Sequence, residues 1–230
     1  MPKSLPKPLR KQREVLYLPV TGHSAVLGTA GSGKTTLALY RAAYLSTADM
    51  PHSGRTLLLT FNQALVTYLN HLKPFELRNV VIETYHKFAR GYLNSRGKMS
   101  FNSICDPDLR RTLIERAVGN VTQRYEKSKF FDRPLAFFLD EIGWILSHGI
   151  ETEEQYVAVE RVGRVGTTLA RKLRSVMFEI LKEYLTLRTQ QGKLYDWDDI
   201  AYHVRQEYLQ DDRARRYRHI IIDEGQDSSP

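Results

Sequence analysis

Residues 24–40 read SAVLGTAGSGKTTLALY. A short apolar run, Ala25–Leu27, feeds a loop with glycines at 28, 31 and 33, and Leu37, Tyr40, Ala43 and Tyr44 then recur at helical spacing. The order predicted is strand, loop, helix. Within it, Gly28–Thr35 fits the pattern G-x-x-x-x-G-K-[ST] at every position. Each residue type answers a chemical need. Glycines let the backbone N–H groups of Gly28, Thr29, Ala30, Gly31, Ser32 and Gly33 wrap a chain of phosphates without Cβ clashes. Lys34 brings a positive charge to the β and γ oxygens, and the Thr35 hydroxyl is of the kind that ligates Mg²⁺. Thr36 follows in the first helical turn as a further nucleotide contact. A nucleotide with Mg²⁺ is therefore the ligand this stretch predicts.

Outward from the loop, the same alternation repeats. RTLLLTF (55–61) reads as a buried strand, and in NQALVTYLNHLK (62–73) Leu65, Val66, Leu69 and Leu72 share one helical face. NVVIETYHKFARGYL (79–93) repeats the scheme, with Val80–Ile82 as strand and Thr84 as the N-cap of a helix. Strands that read as continuous apolar runs between helices define an α/β domain with a parallel sheet. From about Gly91 the pattern becomes helix after helix: DLRRTLIERAV, RPLAFFLDEIGWILSHG, TEEQYVAVERV and TTLARKLRSVMFEILKEYLTLRTQQG, with Gly192 as a C-cap. The expected organisation is a flexible basic arm over 1–9, an α/β nucleotide-binding domain over 10–90 and 196–230, and an all-helical insertion over 91–195.

The chain has 34 Lys and Arg against 26 Asp and Glu, a net charge of +8, which favours a polyanionic partner such as nucleic acid. Cys105 is the only cysteine, so an internal disulfide or a cysteine-built zinc cluster is excluded, and a reducing, cytoplasmic setting is expected. The first residues, MPKSLPKPLRKQRE, are basic but broken by three prolines, and no stretch reaches the length of a membrane span.

The second chemical cluster lies in RHIIIDEGQD (218–227). In a parallel α/β sheet ligands bind beyond the carboxyl ends of the strands. The strand HIIID therefore delivers Asp223 to the edge that carries the phosphate loop, where it would hold Mg²⁺ beside Thr35. Glu224, one residue on, is placed to act as general base toward an attacking water. Alone, a charged pair ending a strand is an ordinary solvated terminus. With the loop present, two elements converge on one magnesium nucleotide.

At these residues the chain resembles superfamily 1 helicases of the UvrD/Rep type: GTAGSGKT is similar to their motif I and DEGQD to their motif II, D-E-x-Q-D. Further segments fall in the same order. KQRE places Gln12 like the glutamine of the family's Q motif; LLLTFNQAL (57–65) resembles motif Ia, TYHKFA (84–89) motif Ib, and YDWDDI (195–200) the segment that follows the family's helical insertion. The resemblance implies a RecA-like domain interrupted by the 1B subdomain, with ATP and Mg²⁺ as cofactors. It further implies that Gln12 reads the adenine edge, that Gln226 senses the γ-phosphate, and that Lys34, Glu224 and Gln226 serve hydrolysis. Thr60, Phe61, Asn62, Tyr85 and His86 would line a track for single-stranded DNA, with RNA the alternative.

The chain departs from the family at Thr36, where many members carry an arginine, and in TFNQALVTYL, which differs from the commoner TFTNKAA form. In the family, motifs III to VI and their arginines follow motif II, so the resemblance implies the N-terminal half of a helicase, weakly active without a second RecA-like domain. Two other readings compete, a self-contained nucleotide switch and a nucleic-acid-binding module. Glu224 speaks against both, since neither needs a base beside the metal. For individual aromatic and acidic residues, ordinary roles also compete: Phe61 and Tyr85 as core aromatics, and Asp198 and Asp199 as helix-capping carboxylates.

Overall fold

The computed structural model describes residues 8–9, 11–29, 31–60, 63–72, 79–162 and 168–225. It divides into two compact units, one built from Met1–Phe88 with Asp212–Ser228, the other on Ala89–Asp211.

The first unit holds a parallel sheet of three strands, β1 (Thr56–Thr60), β2 (Val80–Thr84) and β3 (His219–Ile222), in the order β2-β1-β3. Central β1 has the sequence TLLLT and is buried along its whole length, as a strand flanked on both sides must be. The register sets Thr56 beside both Val80 and His219, so all three strands point their carboxyl ends the same way. Three helices accompany the sheet: α1 (Lys11–Leu16), α2 (Lys34–Ser46) and α3 (Gln63–Leu72). Leu39 and Ala42 of α2 and Leu69 of α3 pack with Leu58, Val80 and Ile82 of the strands. A further helix, α4 (Tyr85–Ser95), starts directly after β2, and the Thr84 hydroxyl accepts from the Lys87 N–H at 3.3 Å, the expected N-cap.

The strand expected at Ala25–Leu27 is not formed. These residues have no regular structure, and Leu27 is 95% exposed. A strand is held by its neighbours' hydrogen bonds, and three apolar residues without a paired partner cannot repay the entropy of being straightened. Edge strand β3 has a matching feature: Ile221 packs against the core, while Ile220 and Ile222 lie on the surface.

The second unit is helical among the described residues, apart from one isolated parallel bridge between Ile104 and Tyr195. It comprises α5 (Pro107–Thr122), α6 (Leu135–Ser147), α7 (Glu153–Ala158), α8 (Arg171–Gln190) and α9 (Ile200–Gln210). Leu113, Ile114, Ala117 and Val121 form the helical stripe of α5 that meets Met177, Phe178, Leu181 and Tyr184 of α8. Local signals mark the ends. Asp106 caps α5, its carboxylate accepting from the Leu109 N–H at 3.0 Å, with Pro107 in the first turn. Thr152 and Gln155 form a capping box on α7. Gly192 closes α8 at φ +70°, where Lys193 N–H donates to the Arg188 carbonyl and Gly192 N–H to that of Thr189.

The segment 196–211, which the sequence reading returned to the nucleotide-binding domain, groups with this second unit. The cause is a buried ionic cluster. Arg188 reaches Asp199 at 2.5 Å, Arg110 lies 3.3 Å from Asp196 and 2.8 Å from Asp198, and the Tyr184 hydroxyl donates to Asp196 at 2.8 Å. Asp199 precedes α9 but makes no side-chain cap; its carboxylate accepts from the Asp196 N–H and from Arg188. Asp198 likewise accepts from Arg110, so both act through the cluster and not as helix caps. No helix among the described residues is long and apolar enough to cross a membrane.

Candidate nucleotide-binding site

The glycine-rich loop bends through two left-handed residues, Gly31 (φ +75°) and Gly33 (φ +84°), conformations glycine adopts without steric penalty. At Gly28 the constraint is space, since a Cβ would sit 2.9 Å from the Ser32 hydroxyl. Helix α2 begins at Lys34, and its N-cap Gly33 supplies no side-chain cap, so the first-turn N–H groups and the positive end of the helix dipole remain available to an anion. Lys34 folds back over the loop, donating from Nζ to the carbonyls of Gly28 (2.9 Å) and Thr29 (3.1 Å). Thr36 is half-buried in the first turn of α2. Ala30 lies outside the described residues.

Gln12 touches the same loop. Its Nε2 donates to the Ser32 carbonyl at 3.0 Å, and its Oε1 accepts from the Leu9 N–H at 2.8 Å. Arg41 of α2 completes the attachment, donating to the carbonyls of Leu16 (2.5 Å) and Pro19 (2.8 Å) and so holding the chain after α1. Sequence reasoning missed Arg41, because a guanidinium that serves distant backbone carbonyls leaves no local pattern.

Asp223 follows β3 directly. Its N–H donates to the Leu59 carbonyl at 2.9 Å, which extends the β1–β3 ladder by one bond and fixes the residue at the carboxyl end of the sheet. The carboxyl is buried, and the Thr35 side chain lies near enough to favour its charged form. The sheet and the phosphate loop thus meet at these two residues. Burial pushes the Asp223 pKa up, with the nearby Glu224 charge adding to the rise, while the Thr35 side chain and Lys34 oppose it. Its Oδ2 is buried and has no hydrogen-bond partner among the described residues. A buried carboxylate oxygen left unpaired is costly. Beside the Thr35 hydroxyl, it suits a hard divalent cation, so the residues present fit Mg²⁺. Glu224 stands next in the chain at φ +58°, a left-handed backbone that non-glycine residues rarely adopt.

The remaining expected residues distribute as follows. Thr60 ends β1, buried, with a hydroxyl that has no partner among the described residues. Tyr85 opens α4 half-buried, its ring 6.3 Å from His86 and 6.4 Å from Phe88. Burial pushes the Tyr85 hydroxyl pKa up and the imidazole pKa of His86 down. The register aligns Thr60 with Thr84, so Thr60, Tyr85 and Asp223 share the carboxyl edge of the sheet. Phe61, Asn62 and Gln226 lie outside the described residues.

A parallel sheet whose carboxyl edge joins a glycine-rich loop, a helix N-terminus and a buried aspartate is the arrangement of a nucleotide-dependent α/β domain. The family model of the UvrD/REP helicase N-terminal domain matches residues 9–230, and the chain belongs to that family. No curated protein matches it. Membership brings helicase function in general, an activity driven by ATP with Mg²⁺ and exercised on nucleic acid.

Proposed function

We propose that this chain binds Mg-ATP between the glycine-rich loop and Asp223 and hydrolyses it, as the ATP-binding half of a UvrD-type motor that moves on single-stranded DNA. The observation that carries the reading is the buried Asp223 carboxyl at the carboxyl end of the sheet, near Thr35, with its unpaired Oδ2. Those two residues would hold Mg²⁺, which supplies charge neutralisation to the transferring phosphoryl group. Lys34 exchanges the Gly28 and Thr29 carbonyls for β and γ oxygens, and the N–H groups from Gly28 to Gly33 wrap the phosphates. Gln12 reads the adenine edge. Glu224 takes the proton of the attacking water, and Gln226 senses the γ-phosphate. Thr60, Phe61, Asn62, Tyr85 and His86 line the strand's path, with half-buried Tyr85 offering a stacking face. Unwinding requires a second RecA-like domain to supply the arginines that neutralise the transition state, contributions worth about 10³–10⁵ in rate in P-loop enzymes. By domain, residues 10–90 with the Asp223 segment form the motor core and the helical unit is its 1B insertion.

The test is titration of a fluorescent ATP analogue with and without Mg²⁺, followed by steady-state hydrolysis with and without oligo(dT). Lys34→Ala should weaken nucleotide binding at least tenfold, and Asp223→Asn should remove its Mg²⁺ dependence. Nucleotide affinity indifferent to Mg²⁺ and to both substitutions would sink the proposal.

A further inference from the structure

The charge of this chain is unevenly placed. Met1–Phe88 with Asp212–Ser228 carries 15 Lys and Arg against 8 Asp and Glu, whereas Ala89–Asp211 carries 19 against 18. Nearly all of the net +8 therefore belongs to the unit with the sheet. Within that unit, arginines concentrate at the amino edge of the strands, opposite the edge that carries Asp223 and the phosphate loop. Arg55 directly precedes β1, and the run RARRYR (213–218) directly precedes β3. Arg55, Arg213, Arg215, Arg216 and Arg218 are all exposed.

The fold forces these charges together. Because β1 and β3 are parallel with Thr56 beside His219, the residues just before them are neighbours, and the Arg218 N–H donates to the Arg55 carbonyl at 2.9 Å. Adjacent strands lie about 4.8 Å apart, a spacing at which like charges repel. The side chains are held nonetheless. Arg55 and Arg216 both lie against the ring of Tyr217, at 5.3 and 5.6 Å from its centroid. Arg218 lies across Gly54, where a Cβ would come within 2.5 Å of it, and donates to the Ser53 carbonyl at 2.8 Å. Among the described residues neither Arg55, Arg216 nor Arg218 makes an ion pair with a carboxylate. Planar guanidiniums ordered by an aromatic ring and by backbone, without carboxylate partners, are prepared for oxyanions from outside.

We infer that the amino edge of the sheet, built by Arg55, Arg216 and Arg218 around Tyr217, is a second nucleic-acid surface that grips the phosphate backbone away from the nucleotide edge. It rests on the proposed function only in taking the polyanion to be nucleic acid. Recognition there is of phosphate and not of base, since guanidiniums on a flat edge read charge spacing. One role such a surface serves is to keep hold of a strand or flanking duplex while the carboxyl edge cycles with ATP.

The experiment is fluorescence anisotropy of a labelled dT₂₀ strand, and of a 20-base-pair duplex, across a salt series. The proteins are the unmodified chain, Arg55→Ala/Arg216→Ala, the single Arg216→Glu, and Tyr85→Ala. Losing two phosphate contacts should weaken strand binding on the order of tenfold at low salt and flatten the log–log salt slope by about 1.4. The fluorescent ATP analogue should bind the edge variants as before. Arg216→Glu changes one exposed side chain, so the question stays answerable if the double variant does not fold. Unchanged salt slopes in both edge variants, with binding weakened by Tyr85→Ala, would overturn the surface and leave the proposed function standing. Polyglutamate displacing the oligonucleotide at equal charge, equally from the unmodified and Arg216→Glu chains, would also overturn it. Loss of nucleotide binding by the unmodified chain, with the edge dependence intact, would remove the proposed function and keep this surface.

Discussion

At the scale of single residues, Asp223 and Glu224 are held in states that an isolated fold would avoid. The carboxyl of Asp223 is buried with its pKa raised, so between the ordinary carboxylate range and that raised value the folded chain binds more protons than the unfolded one. Stability therefore falls as pH rises through that window. Asp223→Asn should abolish this fall and raise the melting temperature at neutral pH. Melting curves from pH 4 to 8 check it; an unchanged profile would show that the carboxyl titrates normally. Glu224 occupies left-handed backbone. Glu224→Gly should relieve that strain by up to about 1 kcal/mol, measured by urea unfolding, while both Glu224→Gly and Glu224→Gln lower ATP turnover by about 10²–10⁴ without weakening nucleotide binding. Turnover that survives Glu224→Gln would favour a nucleotide switch over a motor.

Among the elements, helices with local caps are legible in sequence and a strand without partners is not. Thr84 and Gly192, read as caps from the sequence, each act on a backbone group within a few residues, and Asp106 and Thr152 do the same by rules of equally short range. Thr152→Ala should cost about 1 kcal/mol, detectable as a lower urea midpoint. By contrast, the Ala25–Leu27 run had composition alone in its favour, and pairing, which sequence does not display, decided against it. The YDWDDI segment taught the same lesson. Its aspartates answer Arg110 and Arg188, brought from two other stretches of chain. Burial would raise the Asp199 pKa, but the nearby His203 imidazole, 3.8 Å away, and the Arg188 charge outweigh it and hold it below the ordinary range. Its stabilising contribution is therefore present above that range and lost as pH falls through the depressed value. Arg188→Met leaves Asp199 buried without its cation and should cost about 3–5 kcal/mol, read by denaturant unfolding, with Arg188→Lys recovering part of it.

For the whole molecule, what the sequence determined by itself was whatever depends on neighbours in the chain: the glycine-rich loop that opens α2, the buried run of β1, the N-cap of α4 at Thr84, the C-cap of α8 at Gly192, and the net positive charge. These are readable because their physics acts over a few residues. Tertiary structure alone decided what depends on distant partners. It set Thr35 against Asp223, turned the Gln12 amide onto Ser32, left Val26 and Leu27 outside the sheet, and bound 196–211 to the helical unit. It also gathered the arginines before β1 and β3 along one edge, where the sequence offered only a lone arginine, Arg55, and a basic run far along the chain, Arg213–Arg218. Parallel pairing is the physical reason, because it joins strands by register, and register is a property of the sheet and not of any one segment.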